Sequence, residues 1–114
     1  MTTSKQIVIK HLQAKIDEGY TQKEIAKHLG YPNPNFVSML MNENYPKTII
    51  SMNRLKALAT FCNLTPTDIL HLALTRLTDA GGAPVEFSKG TMLWLLRIFG
   101  QALKARTLAR GVGV

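Results

Sequence analysis

Residues 21 to 41 read Thr21-Gln22-Lys23-Glu24-Ile25-Ala26-Lys27-His28-Leu29-Gly30-Tyr31-Pro32-Asn33-Pro34-Asn35-Phe36-Val37-Ser38-Met39-Leu40-Met41, and this stretch decides the fold. Thr21 and Glu24 form a capping box, in which the hydroxyl accepts from the amide of residue 24 and the carboxylate reaches back to the amide of residue 21. Ile25, Ala26 and Leu29 share one face, and Gly30 supplies the left-handed residue that ends the helix. Tyr31-Pro32-Asn33-Pro34 is a turn, with Asn33 as a cap and Pro34 preset for the first helical position. Phe36, Val37, Leu40 and Met41 then form the apolar stripe of the next helix. The stretch predicts two short helices joined by a tight turn.

Working outward, Ile7, Val8, Leu12 and Ile16 recur at helical spacing from Ser4 to Gly19 and predict a preceding amphipathic helix. Downstream, after the loop at Asn44-Tyr45-Pro46, Ser51 is expected to cap a fourth helix with Leu55, Leu58, Ala59 and Cys62 inward, stopped by Asn63. Thr65-Pro66-Thr67-Asp68 opens a fifth, with Ile69, Leu70, Leu72, Ala73 and Leu77 apolar. Ala80 to Pro84 reads as a linker. A sixth helix is predicted from Ser88 to Arg106, with Met92, Leu95, Leu96, Phe99 and Leu103 on one stripe. No stretch alternates with period two, so the fold class is all-α.

The 114 residues suffice for one domain, and 46% apolar against 18% charged residues is a globular mixture. Fourteen Lys and Arg against seven Asp and Glu leave a net charge of +7, which fits nucleic acid or an anionic surface. The lone Cys62 makes no internal disulfide, and no Cys/His pair has zinc-ligand spacing. The three histidines, His11, His28 and His71, fall on three different helices, and the adjacent Asp17 and Glu18 diverge on theirs. The reading is therefore a non-enzyme with no cofactor and no metal. The start lacks a signal-peptide core, and Met92 to Phe99, broken by Arg97, falls well short of the roughly 20 residues of a membrane span. A cytoplasmic protein is expected.

In this order of elements the chain resembles the lambda-repressor-like, Xre-type helix-turn-helix family. The residues that carry the likeness are Thr21-Gln22-Lys23-Glu24-Ile25-Ala26, Leu29-Gly30, Val37-Ser38-Met39-Leu40, Leu55-Lys56-Ala57-Leu58-Ala59 and Leu64-Thr65-Pro66-Thr67-Asp68-Ile69-Leu70. The resemblance implies a five-helix domain over residues 1–79 that binds double-stranded DNA, with a linker at 80–87, an amphipathic C-terminal helix at 88–108 and a flexible tail at 109–114. It implies a transcription regulator, a repressor in the usual case, of bacterial, phage or plasmid origin. The helix from Pro34 to Met41 would lie in the major groove, where Asn35, Phe36, Ser38, Met39 and Asn42 read bases. Thr21, Gln22, Lys23, Asn33 and Lys47 would meet phosphates, with Arg54 and Lys56 as further cations. Two features depart from the pattern. Pro32 and Pro34 lengthen the turn by one residue, and Glu43 stands where many members have glycine. With no Arg or Lys between Lys27 and Lys47, specificity should lean toward A·T pairs.

The last quarter, Ser88 to Val114, holds five cations and no acid. Its broad apolar side needs a partner surface. The expected one is the same helix of a second copy, through Met92, Leu95, Leu96, Phe99 and Leu103, giving a homodimer on a palindromic operator. Packing on the chain's own core and lying on a membrane surface beside Trp94 and Phe99 are the alternatives. The alternative function is a protein-binding inhibitor, an antiactivator or phage-type inhibitor, that meets a second protein through Phe36 and Met39.

Overall fold

Capping chemistry sets the helix limits. In the computed structural model, which describes residues 3–79 and 87–109, α1 runs Ser4–Asp17, α2 Gln22–Leu29, α3 Pro34–Met41, α4 Leu55–Cys62, α5 Pro66–Asp79 and α6 Lys89–Ala109. Among the described residues there is no strand, and the fold is all-helical as expected. The Thr21/Glu24 capping box is formed, and Gly30 ends α2 at φ 79°. Asn33 Oδ1 accepts from the Asn35 amide at 2.9 Å, with Pro34 in the first turn of α3. Asn63 ends α4 in the left-handed region at φ 52°. Thr65 and Asp68 close a box around the start of α5. A further box, Thr3 with Gln6, opens α1.

Ser51 does not act as expected. A single 3-10 turn, Met52–Arg54, precedes α4, and the Ser51 side chain makes no capping bond. Its carbonyl accepts from the Arg54 amide instead.

The core is built from Val8 and Leu12 of α1, Ile25, Ala26 and Leu29 of α2, and Val37 and Leu40 of α3. Ile50, Met52, Leu55 and Leu58 fill it from the loop and α4, and Leu72 and Ala73 close it from α5. The apolar stripe of α6 is divided. Ile98 is buried against Ala59 and Ile69, with Trp94 and Leu95 partly buried beside it, so α6 packs on α4 and α5. Leu95, expected on the outward stripe, turns inward, whereas Met92, Leu96, Phe99 and Leu103 stay half-exposed. On α5, Ile69, Leu72 and Ala73 are buried, whereas Leu77 is 41% exposed. The start of α6 is tied down by Asn53, whose Oδ1 accepts from the Ser88 amide at 2.9 Å and the Thr91 hydroxyl at 2.8 Å. The expected linker falls almost wholly on residues 80–86, and the tail on 110–114, outside the described residues. Among the described residues, no helix is long and apolar enough to cross a membrane.

Lys5 is 6% exposed, unusual for a lysine. Its ammonium donates to the carbonyls of Met39 at 2.9 Å, Tyr45 at 3.0 Å and Thr48 at 2.8 Å. All three protons are used, so the buried charge is satisfied and the C-terminal end of α3 is tied to the loop that follows it. Burial pulls the Lys5 pKa below the ordinary lysine value, with the Glu43 carboxylate acting the other way. One residue earlier, the Ser4 amide and hydroxyl both donate to Asp79 at the end of α5. Arg76 Nε donates to the Ile50 carbonyl at 2.7 Å, fixing the far end of the same loop.

Replacing Lys5 leaves three carbonyls without their donor. Lys5→Met should therefore cost about 2 to 4 kcal/mol in urea or thermal unfolding. Lys10→Met on the exposed side of α1 should change stability by less than about 0.5 kcal/mol. Equal effects would show that the carbonyl cluster does not depend on Lys5.

Candidate nucleic-acid interface

The outward face of α3 follows from its inward one. Val37 and Leu40 sit in the core, and at 100° per residue that turns Asn35, Ser38 and Met39 away from it. Asn35 and Ser38 are exposed, and Met39 is half-buried. Asn42 lies one residue past the helix in extended conformation, with Oδ1 accepting from the Asn44 amide at 2.9 Å, so its amide group is the part left to face outward.

Ser38 and Asn42 share a shallow groove of about 610 Å³ with Gln22, the first residue of α2, and with Gln13, Asn44 and Glu43. Its polar lining is amides and a hydroxyl with Glu43 as the only formal charge, and Ile9, Ile16 and Met41 form its apolar part. Such a surface offers paired donors and acceptors of the kind that match adenine's N6 and N7. It holds no guanidinium for a bidentate guanine contact. Gln13 and Asn44 were not singled out from the sequence. Gln13 sits on α1, distant in the chain, and donates to Asp17 at 3.1 Å.

Of the expected phosphate ligands, Gln22, Lys23 and Lys47 are exposed. Thr21 is engaged inside its own box. The hydroxyl donates to Glu24 Oε1 at 3.0 Å and the amide to the same oxygen at 3.2 Å. A hydroxyl has one proton, so Thr21 has none left for a phosphate in this arrangement. Asn33 uses its carbonyl oxygen to cap α3 and keeps its amide protons. Arg54, expected among the cations facing phosphate, is turned to the backbone. Its Nη1 donates to the carbonyls of Leu29 at 3.0 Å and Gly30 at 2.9 Å, at the C-terminal end of α2 where a cation is favoured.

The same guanidinium lies 4.2 Å from the centre of the Tyr31 ring, and Tyr31 stacks on Phe36 at 5.5 Å with 9° between the planes. Burial pushes the Tyr31 phenol pKa up, with Arg54 acting the other way. Phe36 is the outer layer of this stack and is 41% exposed. A rigid apolar plane is thus held at the first turn of α3, next to Asn35. Sequence reasoning named Phe36 but not its support, which joins residues 31, 36 and 54. A second aromatic cluster lies where α1, α2 and α4 meet. His28 stacks on Phe61 at 4.3 Å, Tyr20 meets Phe61 edge-on at 5.1 Å, and the Lys15 ammonium lies 5.1 Å from the Phe61 centre.

Compared with known protein families, curated proteins and solved structures, the chain matches none.

Gly30 lies close against Arg54. It has φ 79°, and a Cβ there would come within 3.1 Å of Arg54 Nη1. Gly30→Ala should cost about 1 to 2 kcal/mol by unfolding, part from left-handed strain and part from crowding. In an Arg54→Ala background the crowding part should vanish, leaving a smaller cost in the double-mutant cycle. An additive cycle would show that Gly30 and Arg54 do not act together.

Proposed function

We propose that this chain is a sequence-specific DNA-binding transcription regulator in which α2 and α3 act as a helix-turn-helix and α3 enters the major groove. One observation carries the reading. The start of α2 and the outward side of α3 bring Gln22, Ser38 and Asn42 into one groove, and Asn35 lies exposed one turn before Ser38 on a helix pinned from behind. In this reading Gln22 holds a phosphate at the N-terminus of α2, while Asn35 and Ser38 read base edges and Phe36 covers a thymine methyl. Met39, half-buried, contributes its exposed edge, and Asn42 its amide. Lys23 and Lys47 supply the charge that phosphates need. Two copies act together, since one α3 covers only a few base pairs and half-sites one turn apart lie roughly 34 Å from each other.

The reading of a protein-binding inhibitor rests on a different feature of the same face. Glu43 is the groove's only charge, and it repels phosphate. A gel shift against random duplex at several salt concentrations separates the two, since an inhibitor of this kind does not retard DNA.

For the regulator, two phosphate-facing lysines per copy give a slope of log affinity against log salt of about −4 for a pair of copies. Lys23→Ala with Lys47→Ala should flatten it toward zero. Gln22→Ala should weaken binding to every duplex alike, whereas Asn35→Ala should cost about 1 to 3 kcal/mol only on a site selected from a random pool. Replacing thymines of that site by deoxyuridine should reproduce the loss seen with Phe36→Ala, and the two changes together should cost little more than either alone. A selected site with no thymine whose methyl matters would remove Phe36 from base reading.

A further inference from the structure

Phe36 sits on the border of the face that α3 turns outward. At 100° per residue it lies about 70° round the helix from the middle of the side held by Val37 and Leu40, whereas Asn35 lies about 170° from it. A phenylalanine in that position is not aimed by the core, and its χ angles leave the ring several directions to point. Neighbours outside α3 select one. The Tyr31 ring lies against it at 5.5 Å with 9° between the planes, and the rest of the Phe36 ring, 41% exposed, meets solvent.

The stack is itself anchored to backbone. The Tyr31 amide donates to the Ala26 carbonyl at 2.8 Å, in the turn that ends α2, so the residue carrying the ring is fixed. The Arg54 guanidinium lies 4.2 Å from the centre of that ring, and its Nη1 is shared between the carbonyls of Leu29 and Gly30. Arg54 is thus spent on the fold, and what it adds to recognition passes through Tyr31. A stacked aromatic pair and a cation over a ring each shift a population by roughly 2- to 10-fold. In series, the two contacts favour one direction of the Phe36 ring before any ligand arrives.

We propose that Tyr31 and Arg54 are positioning residues for base recognition, which aim the Phe36 ring at the C5 methyl of a thymine and so set the preference for that methyl without touching a base. This rests on the DNA reading of α3 given above and names the residues that make its apolar contact selective. Apolar contact is lost beyond roughly 4.5 Å, so a ring that swings to another rotamer leaves the methyl altogether. The phosphate contacts of Gln22, Lys23 and Lys47 do not depend on the stack.

Two duplexes test the assignment, a site selected from a random pool with the full chain and the same site with deoxyuridine in place of its thymines. The ratio of their dissociation constants isolates the methyl groups from every other contact. Wild type should favour the thymine site by roughly fourfold for each methyl covered. Tyr31→Leu and Arg54→Gln should bring the ratio to about one, as Phe36→Ala does, with affinity for the deoxyuridine site unchanged. Tyr31→Phe keeps the ring and should keep the wild-type ratio. Should Arg54→Gln fail to fold, Tyr31→Leu against Tyr31→Phe decides the question alone. A loss that falls equally on both duplexes makes Tyr31 and Arg54 parts of the fold only and overturns the positioning role. A wild type indifferent to the methyl overturns it too, and the DNA reading survives either result. A wild type that binds no duplex overturns that reading and the positioning role with it.

Discussion

One buried ammonium, that of Lys5, sets the relation between α1 and the C-terminal end of α3. The last carbonyls of a helix have no partner within it, and the loop after α3 turns further carbonyls inward at Tyr45 and Thr48. A cation with three protons meets this demand where a neutral side chain of the same length could not. Because Ser4, in the same turn of α1, holds Asp79, a single helical turn clamps both the loop and the end of α5. At the other end of α3, the Asn33 cap and the Tyr31 stack do the same work. A helix held at both ends presents its outward side chains in one fixed register, as a surface that reads sequence by direct contact must.

The placement of cations follows from this arrangement. Lys5, Arg54 and Arg76 all donate to backbone carbonyls, closing ends and loops that the short helices leave open. The two arginines between Lys47 and the start of α6 are thereby bound to the fold. The outward side of α3 is left neutral in a chain whose net charge is +7. In the proposed reading, attraction to a polyanion would come from exposed lysines around that side, and discrimination from amides and one aromatic plane within it. The two tasks would fall to different residues, the usual division between phosphate contacts and base contacts.

What the sequence made legible was mostly local chemistry. Helix starts at Thr21, Asn33 and Thr65 and stops at Gly30 and Asn63 depend on residues within four positions of one another, and all five are legible in the sequence. The Thr3/Gln6 box is equally local, as a Thr-x-x-Gln spacing. Ser51 misled because a cap residue signals a helix start only when its side chain turns to the amides, and here the Met52–Arg54 turn begins through the Ser51 carbonyl. Lys5 was invisible because lysine is ordinarily exposed and its partners lie 34 to 43 residues away. The Arg54 end of the stack that supports Phe36 was hidden likewise, since Arg54 lies far along the chain from Tyr31. Gln13 entered the groove only because α1 crosses beside α3.

Helix α6 shows a different limit. A helix apolar on most of its circumference gives no single answer to the question of which side is inward, and its sequence favours pairing outward while also allowing packing home. The fold takes the inward option with one side of the helix and leaves the rest of the stripe exposed. Trp94, Leu95 and Ile98 bind it to α4 and α5, and Asn53 fixes its first turn. This changes what a contact through α6 can do. A helix that merely hung from a linker would let two copies sit at variable separations, whereas a helix packed on its own core carries that core with it. Copies joined through such a face would hold their α3 helices at one distance and one mutual angle, so the spacing of any half-sites would be a property of the folded body.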